Sequence, residues 1–439
     1  MKAVVVGVGH VGLPTAAALS HVGHEVVAVD SDAEKVAGLR DGNLPFFEPG
    51  LHELVEEEMG AGRLSFSDDV KDALEGAAVA FLCVGTPPRA SGEANLLAFE
   101  QAAAAVAEHA DGPVVLVEKS TVPAGTANRL AQVLGRSGAA DLAIVSNPEF
   151  LREGRAVEDS LHPIRVLVGS DSPEALAVMR ELYRPFVDAG AIWLETDVQT
   201  AELSKHASNA FLALKISFAN ALARVCDLAG ADVVQVADAM GSDPRIGRQF
   251  LDAGLGYGGY CFPKDLAAFD HLATRLGYDF ALLREVAKIN DEAIDHTFHK
   301  VEEVLWNLEG KTVTLLGLSF KPGTDDTRLS PALALAKRLI DADVRVSGYD
   351  PQAGSNAKAE VPQLEVAADP YEAVAGAHCV VVCTDWPEFR DLDLTRVREA
   401  MRVPVIIDGR NLLDASTVAD AGFTYIATGR PAVFPVKRR

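Results

Sequence analysis

"KAVVVGVGHVGLP" (residues 2–14) sets a β-branched run directly against three glycines and an apolar stretch. The valines read as a strand buried on both faces, and "LPTAAALSHVG" behind the glycines reads as a helix. Gly7, Gly9 and Gly12 sit between them at G-x-G-x-x-G spacing, the context in which that spacing carries information. Gly7 allows the tight turn, Gly9 lets a pyrophosphate approach the backbone, and Gly12 lets the helix pack close to the strand. The helix N-terminus then faces the phosphates. Asp30 closes the next strand candidate, "EVVAVD", where a carboxylate accepts from ribose hydroxyls and repels a 2′-phosphate. That favours NAD over NADP. A purely structural glycine turn is the alternative, and the strand, helix and acid together weigh against it.

Further strand candidates follow at "VAFLCVG", "PVVLVEKS" and "LAIVSNPEF", bridged by alanine-rich helical stretches. This alternation is the pattern of a parallel sheet covered on both faces. From Asp197 the pattern changes: "DVQTAELSKHASNAFLALKISFANALARVCDLAG" holds no proline, and no glycine until its end. Its apolar positions recur at helical spacing. Strand candidates return at "KTVTLLGLS", "VRVSGYD", "HCVVVCTD" and "VPVIIDG". The expected fold is α/β, with two Rossmann-like, doubly wound lobes joined by a long central helix. The expected domains are residues 1–196, 197–300 and 301–439. The second lobe lacks the first lobe's glycine turn, since "FKPGTDDTR" places lysine and proline where the later glycines would fall. Lys321 and Arg328 are candidates there for an anionic or polyhydroxylated ligand, with a solvated basic pair as the alternative.

At 439 residues the chain exceeds one ordinary core, and 49% hydrophobic against 23% charged residues marks it as globular. A net charge of −23 argues against nucleic acid or an anionic membrane as partner. No apolar run is long enough to span a bilayer. A start directly in a strand carries the expectation of no signal peptide, and five irregularly spaced cysteines build no disulfide framework. A cytoplasmic protein is expected. Cys83, Cys379 and Cys383 lie in apolar strand runs and Cys226 in the long helix, so all four read as packing residues rather than metal ligands. Cys261 stands instead in the glycine loop "GYGGYCFPKD", with Lys264 and Asp265 beside it. On these grounds it is equally a packing residue or a nucleophile. Lys205 and Asn209, four apart on the long helix, share a face that is either solvated or turned into a cleft.

The blocks "GVGHVGLP", "PFFEPGL", "GTPP", "EKSTVPAGT", "NPEFLREG", "AELSKHASNAFLALKISFAN", "DPRIG", "GYGGYCFPKD" and "GLSFKPGTDDTRLSP" run almost end to end. In them the chain resembles the UDP-glucose/GDP-mannose dehydrogenase family. That resemblance implies a homodimer, and a double oxidation of a nucleotide sugar's C6 alcohol to a carboxylate with two NAD+. It implies Cys261 as the nucleophile. Lys205 and Asn209 would donate to the developing oxyanions, and Asp265 would act in proton transfer with a water. Thr121 and Glu149 would hold that water and the sugar. The cofactor set it implies is Gly7, Gly9, Val11, Gly12, Asp30, Lys35, Thr86, Thr121, Lys264 and Arg328. Phe150, Leu151, Arg152, Tyr257, Gly258 and Lys321 would surround the nucleotide sugar, together with Glu149, Lys205 and Asn209. Arg245 would reach a neighbouring subunit's substrate. Phenylalanine after the cysteine fits the family's UDP-glucose branch better than its GDP-mannose branch, with dTDP-glucose a further alternative. Tyr260 departs from the family, which usually has serine there, and puts the sugar or base preference in question. Two other classes share features: two-electron β-hydroxyacid dehydrogenases, which lack the cysteine, and non-catalytic NAD-binding proteins.

Overall fold

The computed structural model describes residues 1–136 and 142–435. The chain packs as two compact units, the first holding Met1–Asn209 and Ala267–Asp279, the second Ala210–Leu266 and the chain from Phe280 onward.

The first unit carries strands β1 (Lys2–Val6), β2 (Glu25–Val29), β3 (Leu64–Ser67), β4 (Val79–Leu82), β5 (Val115–Glu118), β6 (Ala143–Ser146), β7 (Arg165–Gly169) and β8 (Ile192–Thr196). They form one sheet in the order β3-β2-β1-β4-β5-β6-β7-β8. The first six are parallel; β7 joins antiparallel through Ser146 and Gly169, and β8 runs parallel to β7. Both faces of the centre are buried, and alternate residues serve different cores. Val79, Phe81, Val115 and Val117 pack on one face, while Ala80, Leu82, Val114 and Leu116 pack on the other. This is why the central strands read as unbroken apolar runs.

The second unit carries β9 (Thr312–Leu316), β10 (Arg345–Tyr349), β11 (Glu365–Val366), β12 (Cys379–Val382), β13 (Val405–Asp408) and β14 (Thr424–Ala427). Their order, β11-β10-β9-β12-β13-β14, repeats that of the first six strands, and every pair is parallel. In each sheet the order reverses beside the first strand, which is where a doubly wound fold opens its crevice.

The long helix runs from Val198 to Ala229, 32 residues. Asp197 starts it by accepting from the Thr200 amide at 2.8 Å, and Gly230, at φ +70°, ends it. Among the described residues, no helix is long and apolar enough to cross a membrane.

Candidate active site

At the end of β1 the three glycines divide their work. Gly7 has φ +99°, and a Cβ there would stand 2.7 Å from the Cys83 carbonyl oxygen of the neighbouring strand end. A Cβ on Gly12 would fall 1.8 Å from the Gly7 carbonyl, so the helix Gly12–His21 docks only because that position is bare. Gly9 differs: a Cβ there meets nothing within 4 Å. Its missing side chain serves no protein contact and leaves open the approach a pyrophosphate needs, and Val11, at the N-cap position, offers no side-chain cap to the helix amides. Asp30 accepts from the Val8 amide and Lys35 Nζ, both at 3.1 Å, on one oxygen and from the Asp32 amide on the other. Burial opposes its charge, but those donors prevail and hold the carboxyl below its ordinary range. The residues present therefore fit an adenine dinucleotide.

Along the same sheet edge, Thr86 Oγ1 donates to the Thr121 carbonyl at 2.9 Å. After β6, Glu149 forms a buried ion pair with Lys205 Nζ at 2.8 Å, the side chains only 6% and 5% exposed. The other Glu149 oxygen accepts from the Leu151 amide. Phe150 lies under two cations, Arg165 at 3.8 Å and Lys205 at 5.5 Å from its ring centroid. Arg152 forks onto Asp159. Asn209, one turn after Lys205, is buried. Glu149, Phe150, Leu151 and Lys205 are thus one cluster, and its first three members line a cavity of about 120 Å³ with Arg152, Arg165 and Tyr183.

Beneath that cluster lies a buried polar network that sequence reasoning missed. Lys119 Nζ donates to Asn147 Oδ1 at 2.9 Å and Tyr183 OH donates to the same oxygen at 2.6 Å. Asn147 Nδ2 in turn donates to the Leu167 carbonyl. The network fixes the end of β6 just before Glu149. Nothing in the spacing of Lys119, Asn147 and Tyr183 announces it.

In the second unit the expectation that Cys261 lies in a loop outside any element is corrected. The loop ends at Tyr260, and Cys261 is the first residue of the helix Cys261–Arg275. Pro263 falls in the first helical turn, where its missing N–H is one of the amides left unpaired anyway. A helix N-terminus favours negative charge at its opening residues. Of the five cysteines, Cys261 is the one not fully buried. Burial pushes the thiols of Cys83 and Cys383 up to about 12, and that of Cys379 further.

What the loop glycines clear is protein. A Cβ on Gly258 would strike the Leu329 carbonyl at 2.3 Å, and one on Gly259 would strike the Phe320 ring at 2.7 Å. Asn290 ties down the loop, accepting from the Tyr257 amide at 2.7 Å and donating to the Tyr257 carbonyl at 3.0 Å. Lys264 Nζ pairs with Asp265 at 2.6 Å, both side chains buried. Tyr260 lies under two cations, Arg328 at 4.7 Å and Lys264 at 5.6 Å from its ring centroid. Arg328 also forks onto Asp326. Tyr257, Gly258, Cys261, Lys264, Asp265 and Arg328 therefore belong to one neighbourhood. Lys321 stands over Phe320, at the ring that Gly259 accommodates. Arg245 is apart from all of these, 87% exposed and held by Asp243.

A parallel sheet with a glycine turn at its switch point and an acid ending the second strand defines a dinucleotide-binding protein. A second sheet repeats the strand order of the first. The chain belongs to the UDP-glucose/GDP-mannose dehydrogenase family. Residues 1–187 match that family's NAD-binding domain, 199–292 its central domain and 314–415 its UDP-binding domain. NAD is accordingly its cofactor. It is 43% identical to the UDP-glucose 6-dehydrogenase of Rhizobium meliloti, over 98% of this chain and 100% of that one. It is 41% identical to UDP-glucose 6-dehydrogenase TuaD of Bacillus subtilis, over 98% of this chain and 94% of the relative. Among solved structures it is similar to a UDP-glucose dehydrogenase from the archaeon Pyrobaculum islandicum. The TM-score is 0.91 at 36% identity, covering 98% of each chain.

Proposed function

We propose that the protein oxidises the C6 alcohol of UDP-glucose to the carboxylate of UDP-glucuronate. What supports the substrate is the name its full-length relatives carry. What carries the four-electron chemistry is Cys261, the one cysteine not sealed in a core, standing at a helix N-terminus beside Lys264 and Asp265.

An aldehyde gives up a second hydride readily only after a nucleophile adds to its carbonyl. The Cys261 thiolate forms that bond and yields a thiohemiacetal, whose oxidation gives a thioester that water hydrolyses, releasing the thiolate. When bound, NAD+ accepts one hydride in each oxidation. The balance is one alcohol, one water and two NAD+ to one carboxylate, two NADH and three protons. Lys205 and Asn209 donate to the alkoxide and thiohemiacetal oxygens. Asp265, with a water held by Thr121 and Glu149, moves the protons of addition and hydrolysis. Gly7, Gly9, Val11, Gly12, Asp30, Lys35, Thr86, Lys264 and Arg328 hold the cofactor. Phe150, Leu151, Arg152, Tyr257, Gly258 and Lys321 hold the nucleotide sugar.

The protein acts as a homodimer in the cytoplasm. Phe211, Phe218 and Val225 support the dimer. They lie seven apart on one face of the long helix and are 60%, 49% and 59% exposed, an apolar stripe that asks for a cover. Arg245, exposed, is the residue given to the partner's substrate. The irregular spacing of the five cysteines, which builds no disulfide framework, supports a reducing compartment.

The test is a panel of UDP-, dTDP- and GDP-sugars with NADH counted per sugar. Two equivalents are expected from UDP-glucose, and Cys261→Ser should stall after the first oxidation or at a slowly hydrolysed adduct. One equivalent per sugar, with Cys261→Ala fully active, would instead mean a two-electron dehydrogenase.

A further inference from the structure

The mechanism above leaves one buried acidic pair unused. Glu118 ends β5 on the sheet face that carries Val114 and Leu116, and its side chain is sealed in the core. Neither of its carboxyl oxygens has a hydrogen-bond donor within reach. Its polar neighbour is another carboxyl, that of Glu202 on the long helix, also buried. Lys119 offers no help, since its ammonium is spent on Asn147 and Tyr183 beneath the other face. Neither Glu118 nor Glu202 has a basic partner among the described residues.

Glu202 has both oxygens committed. One accepts from the Gly125 amide at 2.6 Å, the other from the Ala127 amide at 2.8 Å, at the start of the helix Thr126–Arg136. A carboxylate suits that helix N-terminus and must be acceptor at both oxygens. One turn along the long helix, His206 Nε2 donates to the Val122 carbonyl at 2.9 Å. Glu202 and His206 together seat residues 120–127, the segment that contains Thr121, on the helix that carries Lys205 and Asn209.

Two buried acceptor carboxyls that face each other repel unless a proton lies between them. We propose that Glu118 is held as the neutral acid, donating its proton to the Glu202 carboxylate, and that the pair positions Thr121 against the long helix. Burial raises both carboxyls, Glu118 well above the usual range. The amides of Ala127 and Gly125 oppose the rise at Glu202, and their donation to both of its oxygens is what assigns it the acceptor role. The pair touches no reacting atom. It acts through the loop and helix that carry the residues assigned to the chemistry, so its kinetic consequences rest on the reading given under Proposed function.

Two measurements test it. The infrared spectrum of the full-length protein at about pH 7 should contain the carbonyl band of a protonated carboxyl, absent from Glu118→Gln. This requires no substrate, so its failure cannot be confused with a wrong substrate assignment. Absence of the band from the wild type, or its persistence in the variant, would overturn the proposal. Kinetically, Glu118→Gln can still donate to Glu202 through its amide and should retain most of the turnover. Glu202→Gln sets an NH2 against a backbone amide, should displace the loop, and should lower kcat by about 10- to 100-fold with a smaller change in KM. Equal damage from the two glutamines would refute the shared proton.

Discussion

The two sheets end their first strands alike and then diverge. Gly7 donates its amide to the Val29 carbonyl at 2.7 Å, and Gly317 donates to the Tyr349 carbonyl at 2.8 Å. Both glycines have φ near +90°, and each leaves room for the strand end beside it, Cys83 or Thr384. An aspartate closes the next strand in each, Asp30 or Asp350, and receives amides from the turn. In the first sheet two more glycines follow and the helix begins at Gly12. In the second, Ser319 through Ser330 intervene before the helix Pro331–Asp341. Asp350 is consumed there by Leu318, Ser319, Gln352, Ala353 and the Trp386 indole. One turn is left open for a dinucleotide; the other is filled by its own side chains. A repeated strand order therefore does not imply a repeated ligand mode, and the residues after the first glycine decide which it is.

The strongest way to break that contrast is to remove each aspartate. Asp350→Ala removes the acceptor of six donors in a core, of which the Trp386 indole keeps Ser319 Oγ, and should cost about 3–5 kcal/mol of stability. Asp30→Ala orphans three at a wetter site and should cost about 1–2 kcal/mol, while weakening NAD+ more than NADP+. Chemical denaturation and cofactor titration measure both, and equal stability losses would mean the second turn is no more structural than the first. A smaller effect comes from the glycines. Gly317→Ala places a methyl 2.3 Å from Thr384 at φ +89° and should destabilise by about 1–3 kcal/mol. Gly9→Ala meets only open space, should change stability by less than about 0.5 kcal/mol, and should weaken NAD+ about tenfold, worth about 1.4 kcal/mol. A Gly9→Ala protein that binds NAD+ normally would remove the open position from the cofactor's path.

The turn at Gly7 was legible because strand, glycines, helix and acid all fall within thirty residues of chain. The long helix was legible for the same reason, with Asp197 and Gly230 marking its ends. Outside such local patterns the reading thinned. Strand β3 alternates around serines, β8 is an edge with Ile192 and Leu194 exposed, and β11 is two residues long, so none presents an apolar run. Asp350 was not seen as the counterpart of Asp30, because its turn lacks the later glycines that draw attention to the first. Cys261 was set in a loop because glycines and Pro263 surround it, although proline belongs to first helical turns as readily as to loops. The Glu149–Lys205 pair and the Glu118–Glu202 contact join residues far apart in sequence, and no spacing rule reaches them.

The least disruptive perturbation is acid. Asp30 titrates below its ordinary value because the Val8 and Asp32 amides and Lys35 outweigh the penalty of burial. A carboxyl lowered in the folded state contributes stability that is complete above the unfolded value, near 3.8, and lost as pH falls through the folded one. The protonated acid also ceases to accept freely from a ribose hydroxyl, so NAD+ affinity should fall through the same acid window. Asp30→Asn keeps the shape and removes the titration. Its stability should decline less steeply below about pH 4, and its NAD+ affinity, lower at neutrality, should depend less on pH. Parallel acid profiles for wild type and Asp30→Asn, in both stability and affinity, would show that the first turn does not couple its charge to its ligand. The two turns would then differ only in the glycines that follow them.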